Sequence, residues 1–164
     1  MATELHWTVR PVARTDEPSW RTLYRGYRDF YGVPPEEKAI DTVWDWLNDY
    51  DHESEGFVIV ERTGLVGGLA HVRKFPRLLT GAAGLFLDDL FVSSDLRGRG
   101  LGRALLKYLS GYAANQDLGV VRWVTAEDNL AARVLYDSEA TATRWVTYDM
   151  SPRVAASEAS SDGS

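Results

Sequence analysis

Apolar residues recur along this chain with two periods, close to two and close to 3.6, and the changes between them mark its elements. Residues 6–12 alternate and predict a first strand, ended by Pro11 and the polar residues 13–18. Trp20, Leu23, Tyr24, Tyr27, Phe30 and Tyr31 then recur at helical spacing. Asp16 is placed to cap that helix, with Glu17 and Pro18 in its first turn. Gly32-Val33-Pro34-Pro35 breaks it. A second helix is predicted from about Pro35 to Asn48, with Ile40, Val43, Trp44 and Leu47 on one face and Asp41, Asp45 and Asp49 on the other. That acidic face reads as a solvated surface.

Residues 56–61, a turn at 62–64 and residues 65–74 predict a hairpin, and residues 76–83 a connection. A nearly continuous apolar strand follows at 85–92, interrupted by Asp88 and Asp89. Three alternating glycines lead from it into a helix whose inner face is Leu101, Ala104, Leu105, Tyr108, Leu109 and Tyr112. Residues 120–125 predict a short strand and 129–138 another helix. Residues 141–150 predict a last strand, with Thr143, Trp145, Thr147 and Asp149 alternating against Arg144, Val146, Tyr148 and Met150. The order is β-α-α-β-β-β-α-β-α-β, an α/β domain with a mixed sheet. Residues 85–125 form a parallel crossover, expected to be right-handed. Residues 1–150 make one domain. Residues 151–164, rich in Ser, Ala and Glu and free of aromatics, predict a disordered tail.

Composition narrows this picture. At 164 residues with 45% hydrophobic and 26% charged content, the chain has the profile of a globular protein with a real core. It has no cysteine, which excludes disulfides, thiol nucleophiles and cysteine zinc sites, and its three histidines, His6, His52 and His71, are scattered. No metal is expected. The N-terminus has no secretory pattern and no apolar run is long enough to span a bilayer, so a cytoplasmic location away from membranes is expected. The net charge of −6 argues against a nucleic-acid partner.

The chemistry concentrates at Gly98, Gly100 and Gly102. Glycines admit φ > 0 and let a ligand approach the backbone. A helix starting there directs unpaired N–H groups and the positive end of its dipole at one point, which suits phosphate. Arg97, Arg99 and Arg103 are interleaved with the glycines. Arg103-Ala104 follows Gly102 where a Walker loop carries Lys-Ser/Thr, and the glycine spacing is not that of the dinucleotide fingerprint. A diphosphate site of another kind is expected.

Arg97-Gly98-Arg99-Gly100-Leu101-Gly102 resembles the Arg/Gln-x-x-Gly-x-Gly/Ala motif of the GCN5-related N-acetyltransferases. Leu87-Asp88-Asp89-Leu90-Phe91-Val92 resembles that family's fourth strand, and the element order over residues 6–150 is also the family's. Within it, the paired acids and Thr125-Ala126-Glu127-Asp128-Asn129 leading to Ala132 and Leu135-Tyr136 resemble the diamine (spermidine/spermine) and histone/polyamine branches. The resemblance implies acetyl-coenzyme A as co-substrate, with its diphosphate on the amides of Gly98, Arg99, Gly100, Leu101, Gly102 and Arg103. It implies a sheet splayed between its fourth and fifth strands. The pantetheine arm would lie there against Leu90, Phe91 and Val92, whose backbone polarises the thioester carbonyl. Asn129, also placed as a helix N-cap, and Ala132 would flank that arm.

The same resemblance matches Tyr136 to the general acid that protonates the departing thiolate, a step open to a phenol because its pKa exceeds that of a thiol. It matches Asp88 to the acid that binds and deprotonates the acceptor amine. Adjacent strand residues face opposite sides, so Asp89 would pair elsewhere. Tyr27, Tyr31, Arg122, Trp123 and Val124 would line the acceptor pocket. Ala140 stands where the family has a glycine. The expected function is direct acetyl transfer to a primary amine, with a small cationic acceptor such as a polyamine, a lysine-like amino acid or an amino sugar. The alternatives are a protein lysine as acceptor and a non-catalytic acyl-coenzyme A sensor. A homodimer is a family expectation.

Overall fold

In the computed structural model, which describes residues 6–154, five strands form one sheet in the order β1-β2-β3-β4-β5. They are β1 (Trp7–Pro11), β2 (Ser54–Glu61), β3 (Val66–Arg77), β4 (Ala82–Val92) and β5 (Val121–Arg122). The first four pair antiparallel and β5 runs parallel to β4. The helices are α1 (Glu17–Phe30), α2 (Glu37–Leu47), α3 (Leu101–Asn115) and α4 (Leu130–Glu139).

The strands' two faces build two cores, as a period of two dictates. On one side Trp20, Leu23 and Tyr24 of α1 and Ile40 and Trp44 of α2 pack against Val58, Val66 and Leu69. On the other, Leu101, Leu105, Leu106 and Leu109 of α3 pack against Phe57, Ile59, Val72, Leu85 and Leu87. An extra residue in β3, Gly67, lets the second core close. Ile59 lies opposite Gly68 and Val60 opposite Val66. A Cβ on Gly67 would sit 2.7 Å from the Trp7 ring and 2.9 Å from Leu101, so a residue without a side chain is needed there.

Three local expectations change. The hairpin joining β3 and β4 is tighter than a connection over 76–83: the ladder runs to Arg77↔Ala82. Gly84 makes room for the Phe75 ring, which would lie 2.7 Å from a Cβ there. Residues 141–150 form no strand; residues 140–154 are exposed. Alternation makes a strand only where a neighbour supplies the ladder, and β5, the outermost strand, is two residues long. Of the expected tail, residues 151–154 are exposed and without helix or strand, and residues 155–164 lie outside the described residues.

Asp16 is the third change. Its carboxylate does not cap α1. It accepts the Ala13 N–H at 2.8 Å and holds Arg10 through two bonds of 2.6 and 2.9 Å. The Arg10 hydrogen bond holds the buried Asp16 carboxyl below its ordinary pKa. A depressed folded pKa adds stability above the unfolded pKa, and that stability is lost as pH falls through the folded value. Asp16→Asn is therefore expected to cost about 2 kcal/mol at pH 7. The difference from wild type shrinks to nothing once pH drops below the folded value, and urea denaturation over a pH series reads it directly.

Candidate active site

The site begins with one extra residue in β4. Asp89 lies opposite His71 and Leu87 opposite Val72, so Asp88 is a bulge with no partner of its own. Leu87 and Leu90 both face the α3 core. The two acids between them therefore share the other face, the one covered by α1, instead of pointing to opposite sides as strict alternation predicts.

Buried groups hold Asp89. The Trp20 indole N–H donates to His71 Nε2 at 2.9 Å, which leaves the ring proton on Nδ1, 2.7 Å from Asp89 Oδ2. The Tyr27 phenol lies beside the same carboxylate. Burial pushes Asp89 up, but His71 and Tyr27 outweigh it and the carboxyl lies below its usual range. Burial and the Asp89 charge push the Tyr27 phenol up. Asp88 is more open, with Arg73 Nε at 3.1 Å from Oδ2. There burial outweighs Arg73 and the carboxyl is raised. Two neighbouring acids are thus driven in opposite directions by different surroundings.

Aromatic rings line this face. Tyr27 lies 6.0 Å from Tyr24, 5.0 Å from Tyr31 and 6.1 Å from Phe91, centre to centre. Tyr136 stacks edge-on with Trp123 at 5.3 Å. Burial, and then the nearby Tyr31 phenol, push Tyr136 up to about 12. Tyr27 packs with the α1 core, Trp123 and Tyr136 pack with the α3 core, and Tyr31 lies between Tyr27 and Tyr136. Arg122 leans over the Phe75 ring at 5.4 Å, beyond Phe86 and Arg73, and Val124 is exposed.

Beside the acids the sheet opens. β5 pairs with β4 only at Leu85↔Val121 and Phe86↔Arg122, while β4 continues six residues to Val92. Leu90, Phe91 and Val92 pair with β3 on one edge and have no strand on the other. At the end of this gap lies the glycine turn. Gly98 and Gly100 have φ of 76° and 83°, where a Cβ carries strain. Gly100 is the α3 N-cap, and the first helical bond is Ala104 N–H to Gly100 O at 3.0 Å. The amides of Leu101, Gly102 and Arg103 precede it and lack intrahelical acceptors. Gly102 serves packing, since a Cβ there would lie 3.0 Å from Leu135 of α4.

The arginines do not converge as the sequence suggests. Arg103 turns to α4, 2.6 Å from Glu139 and 3.0 Å from Ser138 Oγ, so only its amide faces the turn. Arg97 stacks on Phe30 and Phe91 and donates to Val92 O at 3.2 Å. Arg99 is exposed. Asn129 precedes α4, but its side chain makes no cap bond and donates to Thr125 Oγ1 at 3.2 Å. Ala132 is half-buried on the same helix. Sequence reasoning missed Trp20, His71, Arg73 and Tyr24. A histidine two positions before an arginine in an otherwise apolar strand was the available signal for a buried polar network.

An amide cradle ending a one-sided gap between parallel strands fits a ligand with a diphosphate and a long, thin arm. The sequence profile of the Acetyltransferase (GNAT) family matches residues 20–139, and the chain belongs to this family. It is 27% identical over 141 residues to the D-amino-acid N-acetyltransferase of Saccharomyces cerevisiae, covering 85% of this chain and 88% of the relative. Its fold is similar to the ribosomal-protein-alanine N-acetyltransferase of Brucella melitensis biovar Abortus 2308, with TM-score 0.70, 21% identity and coverage of 89% and 99%. It is also similar to AAC(6')-Iy bound to the bisubstrate analogue CoA-S-monomethyl-acetylneamine, with TM-score 0.73, 16% identity and coverage of 91% and 99%. The chain is an acetyl-coenzyme A-dependent N-acetyltransferase. Among the described residues there is no group of His, Cys, Asp and Glu that could hold a metal, and no helix is long and apolar enough to cross a membrane.

Replacing His71 by Phe leaves Asp89 without its buried partner and the Trp20 N–H without an acceptor. His71→Phe is expected to cost about 3 kcal/mol in urea denaturation. It also moves the Asp89 titration upward, which carboxyl NMR over a pH series detects.

Proposed function

We propose that the enzyme acetylates the primary amine of a small molecule by direct transfer, that Asp88 is the amine-side base and Tyr136 the acid, and that the acceptor carries an anionic group beside its amine. The observation that carries this reading is the bulge, which sets a raised, reachable carboxylate at the mouth of the β4–β5 gap. Arg73 and Arg122 lie on the same face. Two guanidinium groups disfavour a polycation there and favour an amino acid, whose carboxylate they attract. The yeast relative's D-amino-acid acceptor agrees with this. The aminoglycoside-type analogue in AAC(6')-Iy and the branch resemblance favour an amino sugar or a polyamine instead, and the overall charge of −6 suits those acceptors.

Bound acetyl-coenzyme A supplies the activated acetyl group. The amides of Leu101, Gly102 and Arg103 hold its diphosphate, and Leu90, Phe91, Val92, Asn129 and Ala132 border the arm. Asp88 takes a proton from the acceptor ammonium and leaves an amine that can attack. As the new C–N bond forms and the C–S bond breaks, Tyr136 gives its phenolic proton to the departing thiolate, and the acylated nitrogen sheds its surplus proton to water, from which Tyr136 is reprotonated. Its raised pKa keeps it protonated at neutral pH. Asp89, held by His71, lies against Tyr27, which forms a wall of the acceptor site.

Thiol release from acetyl-coenzyme A, measured over amino acids, polyamines, aminoglycosides and a lysine peptide, is expected to be fastest with an amino acid. Fastest turnover of the peptide favours a protein acceptor, and thermal stabilisation by coenzyme A without thiol release on any amine favours a sensor.

Tyr136→Phe is expected to lower kcat by about 100-fold or more with coenzyme A affinity unchanged by calorimetry. Unchanged turnover removes Tyr136 from the reaction.

The base is active when ionised, so kcat/KM falls as pH drops through the folded pKa of Asp88. Because burial raises that pKa, the acid limb lies above the ordinary aspartate value. Asp88→Asn is expected to abolish the limb together with most of the activity.

A further inference from the structure

A row of side chains crosses the sheet beside Asp88. Arg73 on β3, Phe86 on β4 and Arg122 on β5 are paired in turn across the strands, so they share one face. Leu85 and Leu87, on either side of Phe86, belong to the α3 core, and the row therefore stands on the opposite face, the one that carries Asp88. The Arg73 guanidinium lies over the Phe86 ring, 4.7 Å from its centre. Only its Nε is engaged, 3.1 Å from Asp88 Oδ2 and 3.3 Å from Oδ1. Nη1 and Nη2 have no acceptor among the described residues. The side chain is 36% exposed, as is that of Asp88, so a ligand reaches both. Arg122 is placed differently. It leans over Phe75, whose ring stands edge-on to Phe86 at 6.0 Å, and it makes no bond to Asp88.

We infer that Arg73 determines the acceptor class: with Nε on Asp88, it grips the acceptor's carboxylate through its free Nη1–Nη2 pair and so restricts acetylation to amines with a carboxylate on the same carbon, the α-amino acids. The inference rests on Asp88 being the amine-side base. A guanidinium is a rigid, planar fork, and two of its N–H groups match the two oxygens of a carboxylate. The ring of Phe86 holds that plane in place. One carboxylate, that of Asp88, already occupies the Nε side, and the end of the fork is open to a second.

The position of the amine follows from the size of the fork. The Nε side and the Nη end belong to one small group, so the ammonium that meets Asp88 and the carboxylate that meets the Nη pair must lie side by side in the acceptor. An α-amino acid has them on a single carbon. Each added methylene carries the nitrogen further from the Asp88 oxygens, and the amine at the end of a lysine side chain is far out of place. An amine without a carboxylate leaves the fork empty and brings a cation next to a guanidinium. Arg73 thus ties the recognition of the acceptor to the residue that deprotonates it, with one side chain touching both.

The test is thiol release from acetyl-coenzyme A by wild type, Arg73→Gln and Arg73→Lys. The acceptors are phenylalanine and alanine in both hands, their amides, 2-phenylethylamine, and β-phenylalanine, whose amine is one carbon further from the carboxylate. The amides have the less basic amine, so a preference for the acid comes from the protein. Wild type is expected to show kcat/KM at least about 30-fold higher for an α-amino acid than for its amide, the effect of a charged hydrogen-bonded pair, and at least about 10-fold higher for phenylalanine than for β-phenylalanine. Arg73→Gln is expected to lose the preference for acid over amide, chiefly through KM. Arg73→Lys, which keeps the charge without the planar pair, is expected to recover only part of it. Each ratio is taken within one enzyme, so any change in Asp88 itself cancels. A wild type that does not prefer the acid, or acetylates no α-amino acid of the panel, overturns the inference, as does an Arg73→Gln enzyme that keeps the preference. Equal turnover of β-phenylalanine overturns the restriction to α-amines. Failure of the base assignment reads separately: Asp88→Asn with full activity and an unchanged acid limb removes Asp88 as base, while the acid-to-amide ratio still decides the grip of Arg73.

Discussion

The chain from Trp20 through His71 to Asp89 ties the first helix to the centre of the sheet and decides which way the acids face. Its donors and acceptors match in only one order: indole N–H to Nε2, and Nδ1–H to carboxylate. A carboxylate this far inside is expensive without such partners. Once Asp89 is anchored opposite His71, the extra residue at Asp88 is displaced onto the same face and towards solvent, where Arg73 meets it. Removing the bulge would return Asp88 to the α3 core, where there is no partner for a charge.

The rest of the site follows from where β4 loses its neighbour. Hydrogen bonding to β5 ends at Phe86↔Arg122, two residues before the bulge. Beyond that point the strand keeps β3 on one edge and leaves the other for a ligand. The glycine turn then directs three free amides back at the same opening. Gly98 and Gly100 are there for their backbone angles, while Gly102 lets α4 approach α3 and so brings Tyr136 to Trp123. Arg103, bound to Ser138 and Glu139, clamps the same helix pair. The glycine turn and Tyr136 are therefore parts of a single packing arrangement.

Much of this was legible in the residues. Glycines at alternate positions before an amphipathic helix have few other readings, and the helices and hairpins follow their hydrophobic periods. The face of the acids was not legible, because a period of two holds only for an unbroken ladder and a bulge leaves no mark in composition. The last strand misled for a related reason: alternation at 141–150 records a preference for pairing and does not name the partner. His71 was invisible because a single histidine in an apolar strand looks like core until the indole of Trp20, fifty-one residues earlier, is brought to it. The arginines suggested convergence by spacing alone, but Arg97 and Arg103 found nearer partners in aromatic rings and in α4.

The central claim is that the bulge in β4 presents Asp88 to the acceptor amine. It is tested most directly by a crystal structure of the enzyme with coenzyme A and the acceptor that the thiol-release panel identifies. The account predicts the acceptor nitrogen about 3 Å from an Asp88 carboxylate oxygen, directly or through one water, with Asp89 still held by His71. An acceptor nitrogen bound away from both acids, with Asp88 undisturbed against Arg73, would contradict it.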